Sequence, residues 1–173
     1  MQERMIEIPD RQNDEKRVRH PIVLRRILAP TDLTREGKKA VKYAVALAEH
    51  FDAQLTLLHV YQVPGADEYA RMLNDYSVAE QFQENAQNDL DLFWSTIRKE
   101  YPKTDALLRC GVLAKEIVSV AKDLQVDLIV ISTHNYHWFT HLMDGSDAER
   151  VLRYGPCPIL IVRKEEHDFV TTN

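Results

Sequence analysis

The twenty residues STHNYHWFTHLMDGSDAERV, Ser132 to Val151, concentrate side chains able to do chemistry. The second half, GSDAERV, reads as a tight turn opening a helix. The first N–H groups of a helix lack backbone partners and carry the positive end of its dipole, so such a start can receive a phosphate. Bare N–H groups can approach a ligand only where the preceding residues are small. The first half instead offers Ser132, Asn135 and the aromatics Tyr136, Trp138 and Phe139. Ser146 and Glu149 form an S-x-x-E capping box, which satisfies the helix start from within. Asp147 complements the dipole without any ligand. Asp144 and Asp147 flank Gly145-Ser146. A phosphate within ~6 Å of one of these carboxylates meets roughly 2–3 kcal/mol of repulsion per charge pair at an effective dielectric near 20. Bound Mg²⁺ held by Asp144 or Asp147 would reverse the sign; simple repulsion is the weightier reading.

His134, His137 and His141 share the same stretch. His137 and His141 are four apart, which suits one helical face and a zinc ion. No nearby Cys completes a ligand set, so a solvent-facing or loop-ordering role is preferred and no metal is assigned. Cys110 and Cys157 are the only two cysteines, too few for a disulfide framework, and read as reduced thiols. The chain has no G-x-x-x-x-G-K-[ST] loop and no G-x-G-x-x-G, and spacing picks out no nucleophile–base–acid set. No catalytic residue is assigned and enzymatic chemistry is not expected.

The elements that must position these residues fit one domain. The 173 residues are long enough for a full core, and 45% hydrophobic with 28% charged content is ordinary for a globular chain. The net charge of -5 argues against nucleic acid as partner. No apolar run is long enough to span a bilayer. The first twenty residues carry five acids and five bases and no apolar h-region. A secretory signal is therefore not expected, and a cytoplasmic protein is. Residues 1–21 read as a flexible N-terminal extension, 22–164 as an α/β domain and 165–173 as a C-terminal tail.

Within the domain, IVLRRILAP, AQLTLLHVY, TDALLRCG, VDLIVIS and CPILIVRKEE read as five strands. Between them lie helical patterns. GKKAVKYAVALAEHF, with Thr34 as its N-cap, turns Val41, Ala44, Val45, Ala48 and Phe51 to one side. Residues 66–101 form the longest pattern, with Tyr76, Ala79, Phe82, Ala86, Leu90, Phe93 and Ile97 on one face. The opposite face is acidic. LAKEIVSVAKDLQ and a helix from Ser146 complete the series. Strands apolar on both faces that alternate with amphipathic helices predict a doubly wound parallel sheet with helices on both faces. Ligands in such sheets bind at the C-terminal strand ends where strand order reverses. The PTD segment after the first strand and the loop after the fourth are the segments expected to meet there. Asp32 is the one carboxylate expected in that cleft.

Three stretches, RRILAPTDLTREGKKAVKYAVALAEHFDAQLTLLHV, CGVLAKEIVSVAKDLQVDLIVIS and GSDAERVLRYGPCPILIVR, resemble the universal stress protein family. The resemblance implies a five-stranded parallel sheet of order 3-2-1-4-5. It also implies homodimers paired through the last strand, here residues 157–163. Many members bind ATP through Gly, two residues, Gly, nine residues and Gly-Ser or Gly-Thr, together with the Asp of PTD. Carried over, Pro30 and Asp32 match the PTD positions, Val60 the strand end beside adenine, and Gly145 and Ser146 the Gly-Ser pair. The first two glycines fall on Ser132 and Asn135, with the nine-residue spacing kept. The loop is also similar to that of members lacking the glycine signature and thought not to bind ATP.

Two functions from different classes result. The first is a non-enzymatic, dimeric stress-response module with a degenerate or weak nucleotide pocket, no cofactor, and Tyr136–Phe139 as the contact for a protein partner. The alternative is an ATP- or AMP-binding protein, with or without Mg²⁺ and with or without slow ATP hydrolysis, that uses Pro30, Asp32, Val60, Gly145 and Ser146.

Overall fold

Five parallel strands form the centre of the molecule. They are β1 (Arg26–Pro30), β2 (Gln54–Tyr61), β3 (Thr104–Cys110), β4 (Leu128–Ser132) and β5 (Ile159–Val162). Among the described residues four helices connect them: α1 (Gly37–Phe51), α2 (Ser77–Glu100), α3 (Leu113–Asp123) and α4 (Asp147–Tyr154). The computed structural model describes residues 21–34, 37–63, 77–132, 147–163 and 170. The strand order is β3-β2-β1-β4-β5, as expected, so the chain reverses direction across the sheet between β1 and β4.

Alternation along the strands separates two cores. On one face Ile27, Ala29, Leu55, Leu57 and Val130 pack against Val41, Ala44, Val45 and Ala48 of α1 and Phe93 and Ile97 of α2. On the other, Leu28, Leu58, Ile129 and Ile131 pack against Ala114, Ile117, Val120 and Ala121 of α3 and Val151 of α4. Successive strand side chains point to opposite faces, so residues buried on both sides require helices on both sides. Val170 also packs against the first core.

Both α1 and α3 end on a residue in the left-handed region that is not glycine, Asp52 (φ 54) and Gln125 (φ 50). The N–H groups of Ala53 and Val126 reach back to the carbonyls of Ala48 and Ala121, at 2.9 and 3.1 Å. This closing pattern satisfies carbonyls that a helix end leaves open and turns the chain directly into the next strand.

The α2 pattern holds over part of its length. Ala86, Leu90, Phe93 and Ile97 are buried, whereas Phe82 and the nearby Val78 are exposed. A 24-residue helix spans about 36 Å and the seven-residue β3 beneath it about 23 Å, so the N-terminal part of α2 overhangs the sheet. Periodicity alone does not reveal where a supporting sheet stops. Tyr76 and residues 66–76 of the expected helix lie outside the described residues.

The two sheet edges differ. At β3 a side chain caps the edge: Trp94 Nε1 donates to the outward Thr104 carbonyl at 2.8 Å, and Arg98 lies 4.8 Å over the Trp94 ring. At β5, the Pro158 carbonyl accepts from Ile129, so the alternation of a parallel ladder turns the backbone groups of Ile159 and Ile161 outward. Among the described residues no side chain bonds to either.

Candidate functional site

The C-terminal ends of β1, β2 and β4 enclose a cleft lined by Pro30, Thr31, Asp32, Gly37, His59, Val60, Leu113, Ile117, Ile131 and Ser132. Its empty volume is about 550 Å³, part of it open to solvent. The position follows from topology: β1 and β4 are neighbours whose connections leave in opposite directions, which opens the sheet at this point.

Four of the seven residues expected at a nucleotide site, Pro30, Asp32, Val60 and Ser132, line this cleft together. Asn135, Gly145 and Ser146 lie outside the described residues. So do Asp144, the aromatics from Tyr136 to Phe139, and His134, His137 and His141. Asp147 opens α4, but its side chain is not described. Thr31, Gly37, His59, Leu113, Ile117 and Ile131 also line the cleft and were not assigned from the sequence. His59 had a signal in the LLHV pattern. Gly37 had one too, as a glycine in the first turn of a helix otherwise free of it.

The turn from β1 into α1 is held by its own side chains. Leu33 sits in the left-handed region at φ 63, and its N–H donates to Thr31 Oγ1 at 3.1 Å. The Thr34 N–H and hydroxyl both donate to Asp32 Oδ1, at 3.1 and 2.8 Å. Thr34 Oγ1 in turn accepts from the Gly37 N–H at 3.2 Å, which is the N-cap role expected of it. Short polar side chains of this kind stabilise turns by bonding to nearby backbone N–H groups.

His59 is tied to the same turn. Its Nδ1 lies 3.0 Å from the Thr31 carbonyl oxygen. A carbonyl only accepts, so Nδ1 carries the hydrogen and the neutral ring keeps Nε2 as an acceptor. The cleft thus joins an apolar floor of Val60, Leu113, Ile117 and Ile131 to Asp32, His59, Thr31 and Ser132. Asp32 is the only acidic residue in the lining described, and neither Lys nor Arg is present there. No group of three or more metal-ligating side chains occurs among the described residues, and no helix among them is long and apolar enough to cross a membrane.

The model of the universal stress protein family matches residues 24–163. The chain belongs to this family. A universal stress protein of Methanocaldococcus jannaschii is 28% identical over 144 residues, 83% of this chain and 85% of the relative. Universal stress protein G of Escherichia coli O157:H7 is 30% identical over 140 residues, 79% and 97% of the two chains. The fold resembles that of universal stress protein UspA from Lactobacillus plantarum, with TM-score 0.63 and 22% identity over 83% of this chain and 100% of that one. It also resembles an Archaeoglobus fulgidus universal stress protein solved with dAMP. There the TM-score is 0.53 and the identity 18%, over 81% of this chain and 98% of that one.

Proposed function

We propose that this universal stress protein is a non-enzymatic regulatory module whose cleft takes the nucleoside part of a small adenine nucleotide weakly and gains nothing from further phosphates. The lining carries the reading: it pairs an apolar floor with hydrogen-bond acceptors and holds one carboxylate without a Lys or Arg. Ribose hydroxyls and an adenine amine are donors and suit Asp32 and His59. A triphosphate needs cations or clustered N–H groups. The sequence supports the same view, because Ser132 and Asn135 stand where small glycines would admit phosphates, and Asp144 and Asp147 add negative charge. Calorimetric titration with AMP and with Mg-ATP tests it. Weak, similar affinities that fall roughly tenfold in Asp32→Ala are expected. Mg-ATP bound tenfold tighter than AMP, or hydrolysed, would favour the ATP-binding alternative.

The homodimer belongs to the same reading. β3 is blunted by Trp94 and Arg98, whereas β5 leaves Ile159 and Ile161 open beside the exposed Leu152 and Tyr154 of the preceding helix. An apolar, unprotected edge strand pairs with another chain, and a second copy presents the same edge. A partner protein engaging Tyr136–Phe139, in a cytoplasmic setting, completes the proposal.

A further inference from the structure

Gly37 occupies the first residue of α1, where helix propensity favours almost any other side chain. A Cβ built on it would overlap Asp32 Oδ1 and stand 3.2 Å from Thr31 Oγ1. Both atoms are committed: Asp32 Oδ1 accepts twice from Thr34, and Thr31 Oγ1 accepts from Leu33, whose φ of 63 leaves that turn little freedom to shift. The buried Thr31 and Gly37 and the half-buried Asp32 all line the cleft.

We infer that Gly37 is a positioning residue of the cleft: the space of its missing side chain lets the Asp32 carboxylate dock against the first turn of α1 and presents it to a ligand in a preset orientation. Oδ1 is consumed by Thr34, so Oδ2 is the oxygen available to a ligand donor. An added methyl group displaces the carboxylate and loosens both bonds from Thr34. This inference rests on the nucleotide reading for its ligand, but the coupling between the two residues stands apart from it.

A double-mutant cycle with Gly37→Ala and Asp32→Ala separates the two. In the parent, Gly37→Ala lowers Tm by roughly 2–4 °C. In the Asp32→Ala background the overlap with Oδ1 is gone and only the tight contact with Thr31 Oγ1 is left, so the same change costs much less Tm than in the parent, offset further because alanine restricts the unfolded chain more than glycine does. AMP affinity, read by calorimetry, falls roughly three- to tenfold on Gly37→Ala in the parent, the loss of one hydrogen bond. It does not respond to position 37 once Asp32 is removed. Equal Tm changes in the two backgrounds would overturn the inference. So would a loss of AMP affinity on Gly37→Ala that persists without Asp32. A parent that binds no AMP refutes the nucleotide reading, and the Tm cycle still decides the role of Gly37.

Discussion

His59 Nδ1 and the Thr31 carbonyl oxygen, 3.0 Å apart, tie the end of β2 to the first residue beyond β1. The Thr31 N–H already donates to the Leu58 carbonyl at 2.9 Å, so the imidazole continues the strand pairing with a side chain. The bond fixes which ring nitrogen is free in a cleft that His59 lines. Long-range ¹H–¹⁵N spectra of the neutral ring are expected to show hydrogen on Nδ1 and an unprotonated Nε2. A ring protonated on Nε2 would contradict this geometry.

Tyr101 secures the far end of the sheet. Its hydroxyl lies 2.6 Å from the Ala53 carbonyl and 3.2 Å from that of Ala48, joining the end of α1 to the start of β2. Tyr101→Phe removes this donor from a buried place and is expected to cost about 1–2 kcal/mol, read from denaturant unfolding. Burial raises the Tyr101 phenol above its ordinary value. The folded state therefore favours the neutral form. The contribution is complete below the unfolded value near 10 and declines as pH climbs above it, so the cost of the substitution shrinks in strongly alkaline buffer.

Gln125 closes α3 at φ 50, a conformation that costs a residue with a Cβ about 1–2 kcal/mol. Gln125→Gly removes that strain but adds freedom to the unfolded chain. The expected net gain is about 0.5–1 kcal/mol. A loss of stability would mean that the Gln side chain contributes a contact outweighing the strain.

The two thiols should differ in reactivity. Cys110, at the end of β3, is exposed, and Cys157 is partly covered. Burial, then the nearby Asp127 carboxylate, pushes the Cys157 thiol above its ordinary value. Since the thiolate is the nucleophile, Cys157 reacts more slowly at pH 8 and accelerates as pH rises. A disulfide reagent applied to the Cys110→Ser and Cys157→Ser proteins is expected to modify Cys110 at least about tenfold faster. Equal rates would show that the folded chain does not protect Cys157.

Equilibrium ultracentrifugation checks the open edge. A dimer is expected at tens of micromolar, within the usual range for paired surfaces of this kind. Leu152→Glu, at an exposed site on the helix leading into β5, should weaken it about tenfold or more without lowering monomer stability. A parent protein that stays monomeric refutes pairing through β5.

Much of the fold was legible because it depends on local pattern. The span 37–51 is visible as a helix from its three- and four-residue apolar spacing. Thr34 is legible as its cap because a hydroxyl before a helix has few other uses. Ile27 to Ala29 and Leu128 to Ile131 announce a parallel sheet because only strands covered on both faces are apolar throughout. Strand order came from the family resemblance, which the sheet bears out. Phe82 shows the limit: its spacing matches Leu90 and Phe93, but burial depends on how far the sheet extends beneath it. Gly37 is similar. The sequence displays a glycine in a helix, yet only the folded chain brings the Asp32 carboxylate into the space beside it. His59 is recognisable as part of a strand end, while its tautomer is set by a carbonyl 28 residues away. The sequence alone thus determined the elements, their faces and the family, which follow from short-range periodicity and motif spacing. The tertiary structure decided which polar atoms share the cleft and which oxygen of Asp32 is already engaged, because those contacts join segments that no local pattern relates.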